Sequence, residues 1–218
     1  MRKNAVYDYV VPLGDRCCTT HCLKHFNLRP WGQKLPFDWV SHGTLEARVD
    51  CVLNDFQDFL VPERLRKIEY IRPEQWKNWH FYDIKTKIRF VHDFPRDLPF
   101  DDGFIVALET VTPKINRMRE IMRSGKRILF VYMVGEHIAS RRLRGVVKKL
   151  RMRFNNDNID LLVIESGVKT LFPFRRVRVA RGITKFVVRM NLAAVFWADT
   201  TPEQFKELAR IFKQIRVV

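Results

Sequence analysis

Apolar residues recur along the start of the chain in the patterns of a buried strand and a helix. Residues 6–11 are largely β-branched and aromatic, and Pro12 ends the run, so they predict a buried strand. Gly14 then allows a tight turn into a helix predicted over 16–26, with Asp15 placed to cap its first amide groups. Strand, tight turn and helix in this order open many α/β folds.

The next stretch predicts a second helix followed by short strands. Apolar residues at helical spacing form one face over 45–60, with Thr44 as the cap and Pro62 as the end. Short strands are predicted at 67–72, 81–84 and 87–91. The alternation of apolar and polar residues in the last of these indicates a half-exposed sheet or hairpin.

From residue 104 onward, predicted helices and strands alternate. Thr112 and Pro113 are predicted to open a helix that Gly125 closes. Strands are then predicted at 127–133, 159–164, 177–179 and 185–190. Helices are predicted at 138–154 and 202–215. Such alternation is typical of parallel-sheet proteins. We therefore predict one α/β domain over 1–218, with three layers around a mixed, mostly parallel sheet.

The composition narrows the class of protein. With 218 residues, 46% of them hydrophobic, the chain can bury a sizeable core. No apolar run approaches the roughly 18 residues of a membrane helix, and no signal-peptide pattern opens the chain, so we expect no integral membrane segment. Four cysteines, three of them clustered, are too few for a disulfide framework, which favours a reduced, cytoplasmic location. No P-loop and no GxGxxG motif occurs, so no cofactor is predicted.

The net charge of +16 lies entirely in the second half of the chain. Residues 1–109 hold 16 Lys/Arg and 16 Asp/Glu, whereas 110–218 hold 24 and 8. On the helix predicted over 138–154, an apolar stripe should face the core, and the opposite stripe is basic: Arg141, Arg144, Lys148 and Arg151. We predict that this basic stripe is exposed and binds a polyanion, whereas a merely solvated surface is the alternative.

Cys17 is the strongest candidate nucleophile. It falls in the first turn of the predicted 16–26 helix, where free amide groups and the helix dipole favour a thiolate. The neighbouring Arg16 adds positive charge. The alternative is that Cys17 and Cys18 are small buried residues that fill space between helix and sheet.

A zinc site is a competing interpretation of the same helix. Cys18, His21, Cys22 and His25 share one helical face, and sulfur and imidazole ligands suit zinc. Side chains in a row on one helix cannot surround a metal tetrahedrally, however. We therefore predict no metal site.

Two groups of motifs stand out in the first 135 residues. The first comprises Leu13-Gly14-Asp15-Arg16-Cys17, then Leu23, Leu28-Arg29 and Pro36-Phe37-Asp38-Trp39; the second comprises Arg89-Phe90-Val91-His92-Asp93-Phe94 and Ile128-Leu129-Phe130-Val131. Together they resemble a mostly bacterial family of domains of unknown function described as papain-like cysteine peptidases. Members of that family are similar to proteins found beside surface-polysaccharide genes, which implies a role in polysaccharide biosynthesis.

The resemblance implies that Cys17 is the nucleophile and His92 the general base, with Asp93 or a more distant carboxylate orienting the imidazole. A thiol nucleophile needs a base within about 3 Å, and the base needs an orienting partner. The function implied is a thiol-dependent hydrolase or acyl transferase, and a divergent papain-like α+β fold becomes the alternative architecture. The alternative function is a non-catalytic or transferase-like module whose basic half binds an anionic glycan, a nucleotide-linked sugar or a nucleic acid.

Other residues are candidates for binding the substrate. Arg16 adjoins the thiol, and Asp38 and Trp39 follow Pro36 in a loop that could line a pocket. The alternative is that Phe37 and Trp39 anchor this loop on the core. His137 follows the strand predicted at 127–133, at its carboxyl end, where ligands of open α/β sheets usually bind. It is also the second candidate for the general base, and the alternative is that Glu136 and His137 form a helix cap or a surface pair.

Overall fold

A five-stranded sheet organises the computed structural model, which describes residues 5–14, 17–69, 77–166, 174–189 and 202–218. In spatial order the strands are β2 (Tyr9–Pro12), β7 (Ile128–Val134), β8 (Ile159–Ser166), β10 (Ile183–Val188) and β9 (Phe174–Ala180). The first four run parallel, and β9 pairs with β10 antiparallel at one edge. All seven residues of β7 are buried, as expected for a central strand covered on both faces.

Helices cover both faces of this sheet. One face carries α2 (Leu45–Leu53), α3 (Phe100–Arg123) and α4 (Ser140–Phe154), and the other carries α1 (Cys18–His25) and α5 (Pro202–Phe212). The predicted apolar stripe of α4 does face the core, since Leu143, Val146, Val147 and Leu150 are buried there. The predicted α/β fold with a mixed, mostly parallel sheet between helical layers is therefore confirmed.

A second, antiparallel sheet packs beside the first. Its order is β3 (Val40–His42), β6 (Ile88–Pro95), β5 (Asn78–Asp83) and β4 (Leu65–Lys67), with a short 3-10 helix at Pro62–Arg64 leading into β4. The hairpin of β5 and β6 matches the half-exposed pair predicted for 81–91. Phe81 and Phe90 face each other across it and join the core below α3.

The predicted strand 6–11 is two strands. β1 (Ala5–Tyr7) pairs in parallel with β11 (Ile215–Val217), separately from the central sheet. The break falls at Asp8, whose carboxylate accepts a hydrogen bond of 2.8 Å from the backbone N–H of Arg127. The pairing of β1 with β11 also explains why α5 ends at Phe212, earlier than predicted.

Two predicted helix boundaries were wrong. α3 begins at Phe100, well before Thr112, and Pro113 lies inside it. Its buried face continues through the proline from Ala107 to Met118, so tertiary packing outweighs the missing backbone donor. α2 ends at Leu53 because Asp55 and Phe56 adopt left-handed backbone angles, with φ of 57° and 63°.

The cap of α2 was predicted correctly, since Thr44 Oγ1 accepts a hydrogen bond of 3.1 Å from the backbone N–H of Ala47. None of the helices formed by the described residues combines the length and the apolar character that crossing a membrane requires.

Candidate active site

Cys17 is the half-buried thiol at the start of α1. A short loop joins it to the carboxyl end of β2, and its backbone C=O accepts from the N–H of His21, one turn further along the helix. The carboxyl ends of parallel strands, followed by helix amino termini, form the usual ligand-binding edge of an α/β sheet. Arg16 and the predicted cap Asp15 lie outside the described residues.

Gly14 explains why the chain can turn so closely into α1. A Cβ atom at this position would lie 1.6 Å from Oγ1 of Thr19, which is itself buried in the first turn of the helix. Leu13 is held as well, because its N–H donates to the C=O of Val131 over 2.8 Å. Close packing therefore constrains Leu13 and Gly14, the last described residues before Cys17.

The three remaining cysteines have a different environment. Cys18 and Cys22 lie in the core between α1 and the central sheet, and Cys51 lies in the core below α2. Burial raises the pKa of the Cys22 thiol well above its usual value and that of Cys51 to about 12. At neutral pH both thiols are therefore held in their unreactive protonated form.

The four side chains considered as zinc ligands have different surroundings. While Cys18 and Cys22 point into the core, the His21 ring contacts Trp39 and the His25 ring contacts Phe26. Among the described residues, no group of three or more histidine, cysteine or acidic side chains is arranged to hold a metal ion.

Asp38 is part of the scaffold beneath the site. Its carboxylate is fully buried and accepts hydrogen bonds from Arg29, from Thr20 Oγ1 at 3.0 Å and from the N–H of Leu35 at 2.8 Å. These bonds tie the loop after α1 back onto the helix. Asp38 therefore connects this loop to α1, and its carboxylate is not exposed in this structure.

Trp39 links α1 to the second sheet. Its ring meets the His21 ring edge-on, with 5.2 Å between centroids, and meets the His92 ring edge-on at 5.6 Å. His92 of β6 therefore lies beside His21, which is one turn along α1 from Cys17. The structure brings His21, Trp39 and His92 together.

A bulge in β6 determines where His92 points. Trp79 pairs with Phe94 and Phe81 pairs with Phe90, so a single residue of β5, His80, lies opposite three residues of β6. Extra residues in one strand of a pair bend it and redirect its side chains, often beside active sites. His92 is exposed at this bulge, and His80 is buried next to it and interacts with it electrostatically.

His92 and the two histidines that interact with it, His21 and His80, share one electrostatic trend. Desolvation lowers the pKa of His21, of His80 and of His92, and positive neighbours lower each further. For His92 the charge of Asp93 opposes this trend but does not reverse it. An imidazole with a lowered pKa is neutral at pH 7 and can accept a proton.

Asp93 lies on the other side of the strand from His92. Its carboxylate is buried and pairs with Nζ of Lys114 on α3 at 3.2 Å. This pairing anchors β6 to α3. The charge of Asp93 still reaches His92, so Asp93 acts on the imidazole through electrostatics.

A second imidazole occupies the same edge of the central sheet. His137 follows β7, and its Nδ1 lies 3.1 Å from Oε2 of Glu165 near the end of β8. Glu165 also accepts from the N–H of Ile138 at 2.8 Å and pairs with Nζ of Lys185 at 2.9 Å. Glu165 and Lys185 are buried, whereas the His137 side chain is 75% exposed. His137 is thus held from below with its other face open to solvent.

Sequence reasoning did not single out His80, Glu165 or Lys185. Glu165 could have been predicted, because it directly follows the apolar residues of a predicted strand, and a buried charged group needs a partner. The role of His80 depends on the strand register, which local sequence does not reveal.

The predicted basic stripe on α4 is exposed over most of its length. Arg141, Arg144 and Lys148 are exposed. Arg151 is the exception, because its guanidinium is partly buried and binds Asp160 and the C=O of Ile159.

The central sheet, its helices and the half-buried thiol at the carboxyl end of β2 define an α/β protein with a candidate cysteine site. A family model described as "putative papain-like cysteine peptidase", for a domain of unknown function, matches residues 8–164. The chain belongs to this family. No curated protein and no solved structure matches it.

Proposed function

We propose that the protein is a thiol-dependent hydrolase or acyl transferase in which Cys17 is the nucleophile and His92 the general base. The observation that carries this proposal is the contact of Trp39 with both His21 on the Cys17 helix and His92 on β6. Family membership supports a cysteine-based hydrolase in general terms.

The chemical steps follow from the groups present. His92 takes the Sγ proton of Cys17 as Sγ attacks an acyl carbonyl carbon, and the leaving group departs with that proton. A water molecule, or an acceptor nucleophile in a transferase, then attacks the thioester, giving its proton to His92. The C–S bond breaks, and the thiolate recovers the proton. The lowered pKa of His92 suits it to accept a proton at neutral pH.

His137 is the second candidate for the base. Its hydrogen bond to the buried Glu165 orients the ring as a triad carboxylate would, with Nε2 directed away from Nδ1 and the carboxylate. In this arrangement Glu165 would orient His137, whereas Asp93 influences His92 through its charge.

The proposal is tested by single-turnover acylation with para-nitrophenyl acetate. The parent should release a burst of nitrophenolate and carry an acetyl group on Cys17, identified by peptide mass mapping. Cys17→Ser should abolish the burst, and His92→Gln should slow it about 100-fold or more, as loss of a general base requires. His42→Asn is the matched control, since His42 is an exposed histidine on β3 and asparagine tolerates its φ of 57°.

Two outcomes would redirect the assignment. If His92→Gln acylates as fast as the parent while His137→Gln does not, His137 is the base. If the parent shows no burst and all four thiols react equally slowly with iodoacetamide, the thiol chemistry is rejected.

A second candidate function, a polyanion-binding module, is favoured by one observation. Arg141, Arg144 and Lys148 are exposed on one face of α4 and pair with no acidic side chain of the described residues. The ligand classes expected from the sequence are an anionic glycan, a nucleotide-linked sugar and a nucleic acid. Retention on a polyanion column that falls with salt, in a Cys17→Ser variant, tests this function apart from catalysis.

A further inference from the structure

The cations of α4 divide into two faces with different surroundings. On the face towards α2, Arg142 makes a bidentate ion pair with Glu46, with 2.6 Å between Nε and Oε1. On the same face, Lys149 Nζ lies 3.6 Å from the Asp50 carboxylate. These positive charges are neutralised by a neighbouring helix.

The other face of α4 lacks such partners. Arg144 and Lys148 are four residues apart, about 6 Å along the helix, and neither has an acidic partner within the described part of the chain. Arg141 continues the same row toward the start of the helix. Like charges at this spacing repel one another unless a ligand neutralises them.

This face forms one wall of a groove of about 730 Å³. The opposite wall is the turn between β9 and β10, which contributes Arg181 and Ile183. Arg151 ties the walls together, since its guanidinium binds Asp160 and lies 3.4 Å from the C=O of Arg181.

Gly182 makes that close approach possible. Its φ is +75°, and a Cβ atom there would lie 2.1 Å from Oδ1 of Asp160 and 2.4 Å from a terminal nitrogen of Arg151. The groove is therefore held by a turn that only glycine suits.

We infer that this groove binds the phosphodiester backbone of double-stranded nucleic acid. Arg144, Lys148 and Arg181 supply positive charge that is not paired within the described residues, and the one acidic side chain among the lining residues is Asp157. A guanidinium group can donate two parallel hydrogen bonds to the oxygens of one phosphate. Contacts of this kind with the phosphate backbone position a protein on a duplex without reading its base sequence.

The lining favours a duplex over a single strand. Apart from its charged side chains, it consists of amide and aliphatic side chains such as Asn155, Asn156 and Val147. No aromatic ring is among these described lining residues, and binding to single strands relies on stacking of unpaired bases on such rings. A duplex keeps its bases inside and presents its phosphates, which is what this lining can bind.

The groove is separate from the candidate active site. Ile183 begins β10, so the groove lies at the amino end of that parallel strand, whereas Cys17 follows the carboxyl end of β2. The inference therefore stands apart from the proposed thiol chemistry.

The test compares two double variants with the same loss of charge on the same helix. Arg144→Gln/Lys148→Gln changes the unpaired face, and Arg142→Gln/Lys149→Gln changes the face paired with α2. Binding of labelled duplex DNA and duplex RNA is measured by fluorescence anisotropy over a salt series, with thermal unfolding as the check on folding. The first variant should weaken binding and reduce the slope of log K against log salt by about two, and the second should leave that slope near the parent value.

Several results would overturn the inference. Equal weakening by both double variants would mean that binding follows net charge and not the groove. Binding of heparin under conditions where neither duplex binds would assign the groove to acidic polysaccharide instead. Tighter binding of single strands than of duplexes, at equal salt, would also contradict it.

Discussion

The indole of Trp39 meets the imidazole of His92 edge-on, with 5.6 Å between ring centroids and an interplanar angle of 77°. The two residues come from different parts of the chain, the loop after α1 and the bulge of β6. Because the same indole also contacts His21, Trp39 sets the distance between the Cys17 helix and the second sheet. It is thus a positioning residue for the proposed pair of Cys17 and His92.

Replacing Trp39 should affect acylation more than stability. Trp39→Ala removes the ring between α1 and β6, and we expect acylation of Cys17 by para-nitrophenyl acetate to slow about 10- to 100-fold, since small misplacements cost that much. Trp39→Phe keeps an aromatic edge and should retain most of the rate. Equal rates for Ala and Phe would remove the positioning role. Thermal unfolding checks that both variants fold.

Two glycine-to-alanine substitutions should act in opposite directions. Gly14→Ala places a methyl group 1.6 Å from Thr19 Oγ1, so the loop before Cys17 must move and the protein should lose stability. Gly145 lies inside α4, where an added methyl group would have no other atom within 4 Å, and Gly145→Ala should stabilise the helix by up to about 1 kcal/mol. Urea unfolding measures both changes. A neutral Gly14→Ala would mean that the loop is more adaptable than its packing indicates.

Local patterns predicted the central sheet better than they predicted the site. The apolar run of β7 and the Thr44 cap are local signals, and the structure confirms both. The start of α3 was wrongly predicted at Thr112 and Pro113, because long-range packing keeps the helix continuous through the proline. Asp38 shows the same limit at the site. Its position after Pro36 suggested a pocket, but its buried partner Arg29 lies in a loop whose position depends on the tertiary fold.

The register of β5 and β6 was also beyond local prediction. The sequence favoured a hairpin, and the resemblance implied His92 as the base. The bulge opposite His80 arises from the pairing of Trp79 with Phe94 and of Phe81 with Phe90. Pairing of this kind depends on the packing of both strands against the core.

The buried histidine His80 should make stability depend on pH. Desolvation, together with the positive charges of His92 and Arg89, lowers its pKa in the folded protein. The unfolded chain, with a histidine pKa near ~6.5, then binds more protons than the folded one as the pH falls below that value. The free energy of unfolding is therefore highest above about pH 7 and decreases as the pH falls from ~6.5 to the folded pKa.

Urea unfolding at a series of pH values between about 7.5 and 5.5 tests this relation. His80→Asn removes one of the three histidines with a lowered pKa, so its free energy of unfolding should change less over that range than the parent's. The comparison uses the slope with pH, so a uniform loss of stability in the variant does not affect it. A slope identical to that of the parent would contradict the assignment.

The buried ion pair of Glu165 and Lys185 should be sensitive to loss of either partner. The carboxylate and ammonium lie 2.9 Å apart, and both side chains are at most 5% exposed. Glu165→Gln or Lys185→Met alone leaves one buried charge without its counter-charge, and each should cost about 3–5 kcal/mol of unfolding free energy. The double variant removes both charges and should be more stable than either single variant.

Urea unfolding of the four proteins completes a double-mutant cycle, and Lys149 with Asp50 provides the matched control. Those two side chains are 61% and 57% exposed, so the same pair of changes there should alter stability by less than about 1 kcal/mol. The oxygen of a glutamine at 165 can still accept from the N–H of Ile138, and its amide nitrogen can donate to Nδ1 of a neutral His137, so the double variant should also keep that ring in place. If the two single variants at 165 and 185 are as mild as the control, water reaches the pair, and His137 is then not held by a desolvated carboxylate.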